Sequence, residues 1–162
     1  MLALRYVSLL ALTLWLGGLI ALGAIAAPSI FQTVDAQHLA DGRLLAGAIF
    51  GEALRRFHHL SYACGAVILA GFIARAVLGP RPLRLAIRMV IALAMLGAAA
   101  YSGVVISGRI AQIQSEIRVA PSSLPAADAR RVEFDRLHTR STSIQIVPLI
   151  GGLILLFWEL KE

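Results

Sequence analysis

Four stretches of the chain contain no charged residue: 6–34, 60–74, 89–108 and 141–158. A helix needs roughly 20 residues to cross the ~30 Å hydrocarbon core of a bilayer. Backbone inside lipid must satisfy its own hydrogen bonds, which leaves helices and closed barrels as the only spanning structures. The four stretches predict an all-α integral membrane protein, a bundle of four transmembrane helices over about 6–27, 58–78, 88–108 and 141–159. Hydrophobic residues make up 59% of the chain and its mean hydropathy is +0.80, whereas soluble domains are about 45–50% apolar. The second stretch is short, but Arg75 can snorkel and the apolar sequence continues to Gly79.

The charges gather between these runs. Of 15 basic residues, all but Lys161 are Arg, and the net charge is +6. They stand at the ends of apolar runs, where Arg anchors helices at the lipid interface; no basic stripe interleaved with aromatics is present, which excludes nucleic acid as a partner. The bilayer is the implied partner, together with a second copy or another membrane protein. Arg75, Arg81, Arg84 and Arg88 surround Gly79-Pro80-Arg81-Pro82, a turn because neither proline continues a helix. Short Arg-dense loops stay cytoplasmic, which places both termini inside.

The other two connections read as amphipathic helices on one side, over about 35–57 and 126–140. Asp41 is placed to cap the first, whose apolar face carries Leu45, Ile49 and Phe57. It lies on the membrane or runs unbroken into the second span. The third span is expected to continue outward through Arg109, Gln112 and Glu116 until Pro121 and Pro125 break the chain. Asp128 restarts it. A signal peptide is the competing reading of the first run, but its length exceeds the usual h-region of about 7–15 residues.

Candidate functional residues are few. Phe134, His138, Ser141 and Gln145 share one helical face that enters the last span. A polar stripe entering a bilayer points into a bundle, where it meets partners. The simplest reading is interhelical hydrogen bonding. The alternative is a metal or haem site, His138 acting with His58 or His59, since neutral imidazole suits haem iron, copper or zinc. No H-x-x-x-H, C-x-x-C, phosphate loop or catalytic triad occurs, no acid is expected within a span, and the lone Cys64 reads as a packing residue. No catalytic residue is assigned, and no enzymatic activity is implied. Trp15, Gly17 and Gly18 form a close-packing seam in the first span, and Gly151-Gly152 repeats the glycine pair in the last, one turn after a Pro148 kink. At an offset of eighty residues His58-x-x-Ser61 falls on His138-x-x-Ser141, which suggests parallel repeats over 1–79 and 80–162.

Trp15-x-Gly17-Gly18, Pro28-x-x-Phe31 and Phe134-x-x-x-His138-x-x-Ser141 together resemble the bacterial domain-of-unknown-function family 4149, which is similar to eukaryotic transmembrane protein 205. The resemblance implies a four-helix membrane protein with no established biochemical activity. The eukaryotic relative's association with resistance to a platinum drug implies export or trafficking. The tryptophan–glycine opening also resembles copper-resistance inner-membrane proteins and the membrane protoporphyrinogen oxidase family, although their histidines inside spans one and three have no counterpart here. The sequence therefore favours a non-enzymatic, transport-related or scaffold component, with a haem- or copper-binding redox protein as the alternative.

Overall fold

The computed structural model describes residues 2–79, 84–117 and 119–161. Among them there is no strand. Four helices are long and apolar enough to cross a membrane: Leu2–Ala36, Gly42–Leu78, Leu85–Ile117 and Ala129–Lys161. Three of the four are interrupted. The first consists of α1 (Leu2–Ala21), a π-helical turn at Leu22–Ala26 and α2 (Ala27–Ala36). The second, α3 (Gly42–Leu78), is continuous. The third is α4 (Leu85–Ala100), a π-helical segment at Tyr101–Ile106 and α5 (Ser107–Ile117). The fourth is α6 (Ala129–Ile144) and α7 (Ile146–Lys161), with Gln145 between them.

Each span packs on its neighbours in the chain, and α7 closes the ring against α1. Heptad seams explain the closure. Buried positions follow one another at spacings of four and three along the third span, from Arg88 through Ala92, Met95 and Ala99 in α4 to Ser102 and Ile106 in the π-helical segment. The same rhythm joins Ser141, Gln145, Pro148, Gly152, Leu155 and Glu159, of which the last four are buried. That period keeps one narrow stripe turned inward along a left-handed bundle. Small residues bring the backbones together. A Cβ on Gly18 would strike the Phe57 ring, and one on Gly152 would meet Leu16, so α1 approaches α3 and α7 closely at these points. Gly17, by contrast, faces open space.

The amphipathic connections are extensions of the spans. Within the 35–57 connection Asp35 and Ala36 close α2, and from Gly42 onward the chain enters the second span without a break, as α3. At 37 residues and about 1.5 Å per residue, α3 exceeds the ~30 Å hydrocarbon core, and its first turns stand in water. Asp41 does not cap it; its side chain accepts no hydrogen bond and the residue adopts φ −105°, ψ 22°. Asp128 does cap α6, accepting from the Arg130 amide at 2.9 Å. The Arg130 guanidinium beside it holds the Asp128 carboxyl down at about 2. His38, an ordinary loop residue by sequence, takes the left-handed conformation (φ 50°) just after α2, the position that usually ends a helix with glycine.

Pro148 acts as its chemistry requires. It cannot donate to the Ile144 carbonyl, and the helix ends at Ile144 and resumes at Ile146. Beyond Gly79, the expected turn at Pro80-Arg81-Pro82 lies outside the described residues.

Candidate functional site

Two polar layers bracket the apolar interior. The first lies two or three residues in from the ends of α1, α3, α4 and α7, about one helical turn deep. There the Glu159 carboxylate, fully buried, accepts from Arg75 at 2.7 and 2.9 Å and from Arg88 at 2.6 Å. The Arg5 guanidinium donates to the Glu159 carbonyl. Arg75 lies over the Phe72 ring and Arg84 over Trp158, at 5.2 and 5.7 Å from the ring centroids. This corrects the snorkelling expected of Arg75 and the lipid-interface role expected of these arginines: Arg75 and Arg88 turn inward, only 6% and 2% exposed. The reason is Glu159, which continues the buried stripe of α7 and gives both guanidiniums a carboxylate that lipid would not.

The second layer lies 16 to 20 residues from the same helix ends, roughly 20–25 Å from the first layer at helical rise. Here Ser102 is fully buried and its hydroxyl meets that of Ser141 at 3.3 Å, while the Gln145 amide donates to it at 3.3 Å. The structure thus brings Ser141 and Gln145 together on span three. Next to Ser102, Gly103 accommodates span two: a Cβ there would lie 2.8 Å from His58 Cγ and would strike the Tyr62 hydroxyl. His58 is 3% exposed, and neither ring nitrogen completes a hydrogen bond. A neutral imidazole carries one N–H, so one of the two is an acceptor without a donor among the described residues. Ser61, buried below it, donates to the Phe57 carbonyl of its own helix at 2.9 Å.

His138 does not join this layer. It is exposed, and its ring stacks on Phe134 with centroids 6.1 Å apart and 9° between planes. His59 is also exposed and packs edge-on against Tyr62. The proposed ligand pair therefore parts, His58 inward and both His59 and His138 outward. Among the described residues no group of three or more His, Cys, Asp or Glu side chains gathers as a metal site. Replacing His138 by Gln or Leu is accordingly expected to leave the unfolding free energy within about 0.5 kcal/mol of the parent, the range for exposed positions, in a detergent denaturation series.

Trp15 is 1% exposed and packs beside Gly65, and its indole nitrogen has no hydrogen-bond partner among the described residues. Gly18 receives Phe57. Cys64 is buried, and burial pushes reaction away from a thiol. Sequence reasoning placed no acid within a span, which the buried Glu159 of α7 corrects, and it also missed Arg88, Ser102 and Gly103. The signal for Glu159 and Arg88 was their place on the four–three stripes.

Residues 10–118 match the family described as "Domain of unknown function (DUF4149)". No curated protein matches the chain, and no solved structure does.

Proposed function

Since the chain belongs to the DUF4149 family, whose members share a domain and no assigned chemistry, we propose from its geometry that it is a non-enzymatic, transport-related protein of a bacterial inner membrane, in which the Ser102 layer is the part that opens. One observation carries this reading. Three of the four spans depart from α-helix towards the same side of the apolar interior, at Leu22–Ala26, at Tyr101–Ile106 and at Gln145. Irregular backbone at membrane depth is tolerated where it is covered by protein or lines a cavity. Discontinuous helices supply the substrate and ion sites of many transporters. π-turns likewise concentrate at functional positions. Here two of the three irregular segments carry the Ser102 hydroxyl and the Gln145 amide, which the Ser141 hydroxyl joins from α6. The likeness to transmembrane protein 205, whose association with resistance to a platinum drug suggests export or trafficking, belongs to the same proposal.

The test uses cysteine chemistry in a Cys64→Ala background. Ser102→Cys is expected to react with a membrane-impermeant maleimide from the side bearing α2 and α6, while Leu12→Cys, in the apolar interior, stays unreactive. A Ser102→Cys thiol that reacts only after denaturation would make the layer a closed packing seam and the protein a scaffold. The redox reading has its own check: protein purified in mild detergent is expected to be colourless. A Soret band or stoichiometric copper would restore a haem or copper role for His58.

Orientation follows from the Lys/Arg content of short loops. Reporters fused near Pro82 and after Lys161 are both expected to signal from the cytoplasm, and a periplasmic signal from either would reverse the assignment.

A further inference from the structure

The geometry points to a second site, for the phosphodiester of an anionic phospholipid, in the notch between the π-helical segment of span three and the end of α6. Tyr101, Thr139, Arg140, Ser143 and Ile144 line this notch, whose volume is about 370 Å³. Its cation is the key. One storey further out, Arg109 on α5 crosses to Glu133 on α6 at 2.8 Å and ties the two helices together. Arg140 lies seven residues after Glu133, on the same face of α6. It looks onto Tyr101, where span three has nothing to answer it, because residues 89–108 contain no charge. Among the described residues Arg140 has no hydrogen bond or ion pair, so none of them supplies its counter-charge.

The depth of the notch selects the source. Arg140 is the last charge before the run 141–158, about 30 Å along the helix from the Glu159 layer at helical rise, which is the level of the headgroups on that side. Below it Val147 and Ile150 are exposed (41% and 53%) and lie on the Ser143 face. A headgroup phosphate at Arg140 would therefore continue into an acyl chain along an apolar strip. Ser143 and the Tyr101 hydroxyl add donors at the level of the phosphate oxygens. A free inorganic phosphate would use the cation and leave the strip unused.

Native mass spectrometry of the full chain, released from mild detergent and titrated with phosphatidylglycerol, phosphatidylcholine or inorganic phosphate, tests the site. The parent is expected to take one phosphatidylglycerol about tenfold more tightly than Arg140→Gln, the scale of one charge-assisted contact. Arg140→Lys should keep most of the affinity. Arg136→Gln, one turn further into water, should match the parent. Millimolar inorganic phosphate should not displace the lipid. Equal binding by the parent and Arg140→Gln would remove the site, and an equal loss in Arg136→Gln would reduce it to diffuse surface charge. Phosphatidylcholine binding as tightly as phosphatidylglycerol, or phosphate excluding the lipid, would overturn the ligand class.

Discussion

Glu159→Leu is expected to be the most damaging single substitution in this protein. The carboxylate is fully buried and accepts from both Arg75 and Arg88. Removing it leaves two guanidiniums facing each other in a low-dielectric layer. Breaking a buried ion pair from one side costs about 3–5 kcal/mol, mostly the penalty of the uncompensated charge. For a chain of this size that corresponds to a fall in Tm of about ten degrees, read by thermal unfolding in a fixed detergent. Glu159→Gln keeps the shape and loses the charge, so it should fall nearly as far. Adding Arg75→Met to Glu159→Leu should recover part of the loss, because the Arg75 cation that has lost its carboxylate is gone and methionine fills the stem's volume. If the double variant is less stable than Glu159→Leu alone, the charge account is wrong. Glu52 provides the contrast. It is also paired with two arginines, Arg55 and Arg56, but in water, and its replacement by Gln should hardly be felt.

This comparison also shows what the sequence could reveal. Charge-free lengths specify four spans because lipid permits so few alternatives, and Pro148 announces its break because a missing N–H has one local consequence. The inward turn of Arg75 and Arg88 was harder to see. An arginine near the end of an apolar run can reach for headgroups or for a buried partner, and the choice depends on which helix stands opposite. Only the stripe Ser141, Gln145, Pro148, Gly152, Leu155, Glu159 gave a hint, since it assigns the glutamate to the interior. His138 failed in the opposite way. It shares an unbroken α6 face with Ser141, but it lies nearly one turn further out, exposed, where the ring of Phe134 is its neighbour. The meeting of His58 with Gly103 was not legible at all. It depends on the π-helical turn at Tyr101–Ile106, and nothing in the local composition requires the extra residue.

That meeting gives the second large effect. Gly103→Ala places a Cβ 2.8 Å from His58 Cγ and within the Tyr62 hydroxyl. The two clashes differ in kind. The Tyr62 hydroxyl is the far end of a long side chain that is only partly buried, so a small rotation clears it. His58 Cγ is anchored one bond from its own Cβ, on a helix held by Phe57 against Gly18. The backbones of spans two and three must then separate, which for an overpacked interior costs about 1–3 kcal/mol. Tyr62→Phe should therefore give Gly103→Ala little relief. His58→Ala should give much more, by removing the ring that the new methyl meets, so the pair should be less destabilising than the sum of its members. Since the residues touch, the coupling is expected at about 0.5–3 kcal/mol. An additive pair, with full relief from Tyr62→Phe instead, would mean that His58 can yield at this contact and that spans two and three are free to adjust around it.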